Sequence, residues 1–88
     1  MEYPYTSRYP CPCCGYHTVE EPGHYDLCAI CWWEDDPMQS AHPDYCGGAN
    51  IESLNEAQHN YRCYGAISRG AHPFVRLPHP DEYPDSGR

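Results

Sequence analysis

Two short stretches decide the fold of this 88-residue chain: Cys11-Pro12-Cys13-Cys14-Gly15 and Cys28-Ala29-Ile30-Cys31. Each contains a Cys-x-x-Cys pair, and thirteen residues separate the two pairs. Such a pair turns tightly enough for both sulfurs to face one ion, and two pairs complete a tetrahedral site. We therefore predict one metal ion bound by the four cysteines of the pairs, Cys11, Cys14, Cys28 and Cys31. Zinc is the expected metal because four thiolates suit it, and iron in a rubredoxin-like site is the chemical alternative.

The cysteine content also indicates how a chain of this size becomes stable. Seven cysteines in 88 residues indicate a fold that depends on crosslinks or on a metal. The length predicts a single domain over residues 1–88, whose hydrophobic core alone would give marginal stability. A structural zinc site contributes roughly 10–16 kcal/mol of apparent binding free energy, which would dominate that balance.

The same residues predict a compartment. Residues 1–5 have neither the basic part nor the apolar part of a signal peptide, and no apolar run approaches the length of a membrane span. We therefore expect a cytoplasmic protein that does not enter a membrane and whose cysteines stay reduced.

The charge balance restricts the partners. Thirteen acidic residues against five arginines give a formal net charge of -8. Binding to nucleic acids and to anionic membranes needs clustered basic residues, so neither partner is expected. The field of an acidic chain favours a basic protein instead. Nine tyrosines, two tryptophans and one phenylalanine add aromatic side chains of the kind that anchor protein interfaces.

The predicted elements are short because ten prolines interrupt the chain. We predict an extended arm over residues 1–9, followed by a zinc-ribbon-like hairpin. In that hairpin, residues 16–20 pair with residues 24–28 around a turn at Pro22 and Gly23. Residues 38–50 are predicted as loop and residues 70–88 as an irregular Pro-rich tail. The predicted fold class is a small, metal-stabilised α+β domain.

One helix is predicted in the C-terminal half. Ser53-Leu54-Asn55-Glu56 fits a capping box, in which the serine hydroxyl accepts the N3 amide and the glutamate accepts the cap amide. Gly65 stands where a C-terminal cap is expected. An apolar stripe lies between them at helical spacing, at Leu54, Ala57, Tyr61 and Tyr64.

Three cysteines lie outside the predicted ligand set. Cys13 is one residue off the ligand spacing. It is predicted either as a small semi-buried residue or as a reactive thiol made acidic by nearby amides and metal. Cys46 and Cys63 are predicted as packing residues, in a loop and on the helix, and not as a second metal pair. None of the six histidines forms a His-x-x-x-His pair, so none is predicted as a ligand.

Three carboxylates, Glu34, Asp35 and Asp36, directly follow the second cysteine pair and two tryptophans. They are candidates for general acid–base chemistry, for a hard-metal site or for a partner surface. The interpretation that we favour is a solvated turn, in which one carboxylate caps a short helical turn or pairs with an arginine. Of Trp32 and Trp33, one is predicted in the core and the other, if exposed, as an interface anchor.

Several spaced motifs resemble the bacterial CPCC family of cysteine-rich proteins. They are Tyr9-Pro10-Cys11-Pro12-Cys13-Cys14-Gly15-Tyr16, Cys28-x-x-Cys31-x-Trp33-Glu34-Asp35-Asp36, Gly47-Gly48-Ala49-Asn50, Ser53-Leu54-x-Glu56-Ala57-x-x-Asn60-Tyr61 and Val75-Arg76-x-Pro78. The resemblance covers most of residues 9–84 and implies a small bacterial cytoplasmic protein that binds metal, without implying a mechanism. The chain departs from the family pattern at Ala29, where a proline is common.

Three functions are compatible with these residues. The first, which we favour, is a binding module without enzymatic activity: a structural zinc site of four cysteines supports an acidic, aromatic surface for a basic protein. The second is a redox protein, either a dithiol catalyst or a rubredoxin-like electron carrier, although thioredoxin-type chemistry needs a βαβ scaffold and an unligated pair. A zinc hydrolase ranks last, because a catalytic zinc keeps an open position and four cysteines close the site.

Overall fold

The computed structural model describes residues 8–84, and all of its elements are short. A two-stranded antiparallel sheet joins β1 (Tyr9–Pro10) to β2 (His17–Val19). Two α-helices follow, α1 (Pro37–Ala41) and α2 (Leu54–Tyr64), and then two 3₁₀ helices at His72–Phe74 and Pro80–Glu82. In this part of the chain no helix combines the length and the apolar composition that crossing a bilayer requires. Most of the predicted arm and the last four residues of the predicted tail lie outside the described residues.

The predicted antiparallel hairpin is present, but one of its strands is not the one expected. Residues 16–20 do contain a strand, β2, and it pairs with β1 instead of with residues 24–28. The chain reverses at the first cysteine pair itself, where the Gly15 amide donates to the Cys11 carbonyl at 2.8 Å. A Cys-x-x-Cys turn is therefore the turn of the hairpin, and β1 comes from the segment predicted as an arm.

Residues 24–28 pair with the chain that follows the second cysteine pair. Leu27 and Glu34 form an antiparallel bridge. The Asp35 amide then donates to the Asp26 carbonyl at 2.9 Å. Each cysteine pair thus lies at the turn of its own short antiparallel pairing, which explains why the expected pairing between residues 16–20 and 24–28 is absent.

The α2 helix begins and ends as predicted. The Ser53 hydroxyl accepts the Glu56 amide at 3.1 Å, and the Glu56 carboxylate accepts the Ser53 amide at 3.0 Å. Gly65 follows the last helical residue with a φ of 81°, a left-handed conformation that glycine adopts at little cost. The predicted apolar stripe is buried only in its first turn, at Leu54 and Ala57. Of its two tyrosines, Tyr61 is half-buried and Tyr64 is exposed.

The α1 helix lies where residues 38–50 were expected to form a loop, so the start of that loop is predicted wrongly. Asp36 is the N-cap, and its carboxylate accepts the amides of Met38 and Gln39. Pro37 occupies the first helical position, where its missing N–H costs nothing. An acidic cap followed by proline is a local helix-start signal, and it is present in the sequence at Asp36 and Pro37.

The core surrounds the two cysteine pairs. Trp33 and Ile30 are its largest fully buried apolar side chains. Trp33 is therefore the tryptophan that packs in the core. Trp32 is half-buried and stacks on Phe74, with ring centroids 5.7 Å apart. The other buried apolar residues come from most parts of the described chain: Cys11, Cys13, Val19, Cys28, Cys31, Leu54, Ala57, Ala66, Ile67 and Ala71.

The tail packs back over the second cysteine pair. The Ile67 amide donates to the Cys31 carbonyl at 2.9 Å, and the Arg76 amide donates to the Ala29 carbonyl at 3.1 Å. The Arg76 guanidinium also donates two hydrogen bonds, of 2.9 and 2.7 Å, to the two oxygens of the buried Glu82 carboxylate. A bidentate pair of this kind fixes orientation as well as distance. The tail is therefore irregular in backbone but firmly attached.

Candidate metal centre

The four cysteines of the two pairs bring their sulfurs into one cluster. All four Sγ atoms lie within 4.8 Å of one another. Between the pairs, Cys11 Sγ lies 3.6 Å from Cys31 Sγ, and Cys14 Sγ lies 3.7 Å from Cys28 Sγ. A tetrahedral ion with bonds of about 2.3 Å to each sulfur holds the sulfurs about 3.8 Å apart. The cluster therefore has the dimensions of a four-thiolate metal site, and it consists of the four residues predicted as ligands.

The two cysteine pairs have the same backbone geometry. We call residues 10–17 the first knuckle and residues 27–34 the second knuckle. In each, the amide of the first cysteine donates to the carbonyl five residues later, at 2.8 and 2.9 Å. The amide after the second cysteine donates back to the first cysteine's carbonyl, at 2.8 and 2.7 Å. This repeated geometry points both sulfurs of each pair at the same place.

The cluster is shielded from solvent, and its four sulfurs lie in mutual contact. Cys11, Cys28 and Cys31 each expose 2% or less of their surface, and Cys14 is half-buried. Hydrogen bonds from the other three thiols, Cys11 foremost, hold the pKa of Cys28 well below its usual range. The pKa values of Cys11 and Cys31 are raised, chiefly by the contact with Cys14 for Cys11 and by the contact with Cys11 for Cys31. A divalent cation would replace the thiol protons and stabilise all four thiolates.

A second group around the sulfurs is a hydroxyl. Thr18 Oγ1 donates to Cys28 Sγ at 3.1 Å. Donors of this kind orient a ligand and tune the charge on a bound metal. Thr18 belongs to β2, so the sheet positions it against the cluster.

The family comparison agrees with this geometry. Residues 9–82 match the family model described as cysteine-rich CPCC. The chain belongs to the cysteine-rich CPCC family. The match spans both knuckles of this CPCC protein, its two α-helices and the pair formed by Arg76 and Glu82. No curated protein matches the chain. Together, the family and the four-sulfur cluster support metal binding by this CPCC protein.

The three remaining cysteines of the CPCC protein differ in burial. Cys13 is buried, with 8% of its surface exposed, and it lies outside the cluster of four sulfurs. Its position agrees with the interpretation as a small packing residue. Cys46 and Cys63 are exposed, so their predicted packing role is wrong. Cys46 lies in the exposed loop after α1, and Cys63 lies on α2 away from the buried first turn of that helix.

The carboxylates after the second knuckle bind the protein's own backbone. Asp35 and Asp36 are both buried, so the expected solvated turn is wrong, whereas the expected helix cap is present at Asp36. Asp36 also accepts the Ala49 amide at 2.9 Å, and this bond, together with two amides of α1, lowers the pKa of Asp36. Asp35 accepts the Gly23 amide at 2.8 Å and the Ser40 hydroxyl at 3.2 Å. These contacts favour a structural role over acid–base catalysis or a hard-metal site.

Gln39 is a buried polar residue that the sequence did not single out. Its side-chain amide donates to the carbonyls of Tyr45, Asn50 and Glu52 at 2.9–3.1 Å. Its oxygen accepts from Asn50 Nδ2 at 2.8 Å. Asn50 in turn accepts the Glu34 amide at 2.8 Å and donates to the Glu34 carbonyl at 2.9 Å. The Gln39–Asn50 pair therefore fastens the loop between α1 and α2 to the second knuckle.

A groove opens beside the second knuckle, with a volume of about 390 Å³. Its apolar lining includes three exposed side chains and the half-buried indole of Trp32. Two half-buried acidic residues lie beside these apolar side chains in the groove lining. We call it the aromatic groove and define it by Leu27, Trp32, Glu34, Ile51, Glu52 and Phe74.

Proposed function

We propose that this CPCC protein is a zinc-ribbon-like binding module, in which one structural zinc ion supports a surface for a basic protein. The observation that carries the proposal is the closed cluster of four sulfurs. Four cysteines fill the coordination of tetrahedral zinc and leave no position for a substrate, which favours a structural role over hydrolysis. A reducing, cytoplasmic compartment suits such a site because thiolates must stay reduced to hold the metal. The ligands in this proposal are Cys11, Cys14, Cys28 and Cys31.

Native mass spectrometry with metal analysis tests the metal. We expect one zinc ion per chain in a colourless protein, and loss of the folded state when a chelator removes the ion. One iron ion and visible absorption would instead make the protein a rubredoxin-like electron carrier, because the same four sulfurs suit iron. A natively purified protein that folds without any metal would contradict both forms of the proposal.

The aromatic groove is the surface that we assign to the partner. Ile51 exposes 83% of its surface there, and such exposed apolar area on a small chain favours contact with another protein. Glu34 and Glu52 form no ion pair with any arginine or histidine among residues 8–84. A cationic side chain would satisfy these carboxylates and also lie against the Trp32 ring. The expected partner segment therefore combines arginine or lysine with apolar residues.

Binding of defined peptides to the zinc-loaded protein tests the groove. We expect peptides that alternate arginine with apolar residues to bind, and acidic peptides of the same length not to bind. Ile51→Ser should weaken that binding by about tenfold or more. Leu77→Ser is the matched control, because Leu77 is 84% exposed and does not line the groove.

A charge variant separates the two contributions to binding. Glu34→Gln should reduce the salt dependence of peptide binding, because it removes one of the two groove carboxylates. Equal affinities for the wild type and Ile51→Ser would remove the groove from the proposal. The metal measurement would stand apart from that result.

A further inference from the structure

His59 and Cys63 form an exposed pair on α2, away from the four-sulfur cluster. Cys63 Sγ lies 3.6 Å from His59 Nε2. Both residues are exposed to solvent, so neither belongs to the hydrophobic core. They are four residues apart on one helix, and this spacing places them on the same face in successive turns.

The distance between the two donor atoms fits a single metal ion. Zinc binds a cysteine sulfur at about 2.3 Å and a histidine nitrogen at about 2.0 Å. At the tetrahedral angle, these two bonds hold the sulfur and the nitrogen about 3.5 Å apart. The observed distance is 3.6 Å, so both atoms reach one ion without moving the helix. Helical residues with the same spacing bind zinc through two histidines in metalloproteases.

The surroundings of the pair are rigid and acidic. The capping box at Ser53 and the left-handed Gly65 fix both ends of α2. Glu52 and Glu56 line a shallow groove of about 430 Å³ that His59 also lines. Arg62, the one arginine of α2, is exposed and opposes this acidic charge in part. The chain as a whole has a net charge of -8, which favours cations over anions near its surface.

We propose that His59 and Cys63 bind a second, exchangeable metal ion, of the thiophilic divalent class to which zinc belongs. On binding, Cys63 releases its thiol proton to solvent and binds as the thiolate, and neutral His59 binds through Nε2. Two protein ligands leave two tetrahedral positions for water or for donor atoms of another molecule. The four-cysteine site leaves no such position. The α2 site therefore exchanges its ion with the solution readily, whereas the buried four-cysteine site retains its ion.

Cobalt titration of the zinc-loaded protein tests this site, under a reductant that does not bind metal. We expect one further Co²⁺ ion per chain, reported by a thiolate-to-cobalt charge-transfer absorption that saturates. The Cys63→Ser variant should lose this absorption. In the His59→Gln variant, the absorption should no longer reach saturation as cobalt is added. Cys46→Ser is the matched control, because Cys46 is also exposed and should leave the titration unchanged. All three substitutions are at exposed positions, so the variants should fold.

The same titration can overturn the proposal. Cobalt that displaces zinc from the four-cysteine cluster would give absorption in Cys63→Ser as strong as in the wild type. If the wild-type protein shows no thiolate-to-cobalt absorption, the pair is only a thiol–imidazole hydrogen bond. Retained saturation in His59→Gln would exclude the histidine as a ligand.

Discussion

Gly15 and Trp32 occupy the same position in the two knuckles and share one backbone conformation. Their φ angles are 84° and 79°, in the left-handed region. Glycine adopts this region at little cost, whereas a residue with a Cβ atom costs about 1–2 kcal/mol there. The second knuckle keeps the turn in spite of that cost, and the Trp32 ring stacks on Phe74. The two knuckles are therefore equal in geometry and unequal in backbone strain.

Replacing Gly15 by alanine should give the first knuckle the same strain. A Cβ at this position meets nothing within 4 Å, so only the backbone conformation opposes the change. We expect the unfolding free energy of the zinc-loaded protein to fall by about 1–2 kcal/mol, as measured by urea denaturation. Gly70→Ala is the control, because its φ is not left-handed and its nearest neighbour would be 3.9 Å away. Equal losses in the two variants would refute the explanation by strain.

Serine substitutions distinguish the ligands from Cys13. Cys11→Ser should lose the zinc ion and the folded state together, because three thiolates do not close the site. Cys13→Ser should retain one zinc ion and lose only about 1–3 kcal/mol, since a hydroxyl replaces a buried thiol. Native mass spectrometry measures the zinc content, and circular dichroism measures the fold. Loss of zinc from Cys13→Ser would mean that the ligand set is wrong.

The Arg76–Glu82 pair should make stability depend on pH. The hydrogen bonds from Arg76 lower the pKa of Glu82 to about 2 from its ordinary 4.5. Because the folded value lies below the unfolded one, this stabilisation is complete above about pH 4.5 and is lost as the pH falls toward 2. Glu82→Gln should therefore be less stable than the wild type by up to about 3 kcal/mol at pH 7. The difference should shrink below pH 4.5.

Urea denaturation of the two proteins at each pH measures that difference. The thiolate cluster is common to both proteins, so its own pH dependence cancels. A difference that stays constant from pH 7 down to the lowest pH at which both proteins still retain zinc would show that the ionised carboxylate is not the source of the stability.

Asn50→Ala should detach the loop between α1 and α2 from the second knuckle. The change removes both hydrogen bonds to the Glu34 backbone and leaves the half-buried Glu34 amide without a partner, while the Glu34 carbonyl keeps the Asp36 amide at 2.8 Å. We expect a loss of about 2–3 kcal/mol and faster amide hydrogen exchange over residues 42–52. Asn55→Ala is the control, because its side chain bonds Asp44 at an exposed site, and its loss should stay within about 0.5 kcal/mol. Unchanged exchange in Asn50→Ala would assign the attachment of the loop to other contacts.

The parts of the fold that the sequence predicts correctly have local signals. The two Cys-x-x-Cys spacings identify the four sulfurs that the structure brings together. The capping box at Ser53 and the glycine at position 65 give both ends of α2. Asn60, in the motif that also contains Ser53, donates from its side-chain amide to the Ile67 carbonyl at 2.8 Å. In each case the deciding residues lie within a few positions of one another.

Apart from the α1 helix, whose start has a local signal at Asp36 and Pro37, the incorrect predictions depend on contacts between distant residues. Pro22 and Gly23 have the sequence of a hairpin turn, but the Gly23 amide donates to the Asp35 carboxylate. The second knuckle determines which segment residues 24–28 pair with. The alternation of apolar and polar residues in a strand does not reveal that partner. Gln39 is buried because three loop carbonyls converge on its side-chain amide. Every residue type has a backbone carbonyl, so the sequence does not show which ones will meet Gln39. The contact between His59 and Cys63 does have a local signal, the i, i+4 spacing of two metal-binding residue types.

The hydrogen bond from the Arg76 amide to the Ala29 carbonyl can form only late in the synthesis of the chain. A ribosome releases both cysteine pairs well before it releases Arg76. In the proposed zinc form, a nascent chain therefore gathers its four thiolates while the second knuckle still lacks the amide donors of Ile67 and Arg76. The ion holds the two knuckles together during that interval. Docking of the tail then completes the hydrogen bonding of the Ala29 and Cys31 carbonyls, so metal capture comes first in time and closure of the chain comes last.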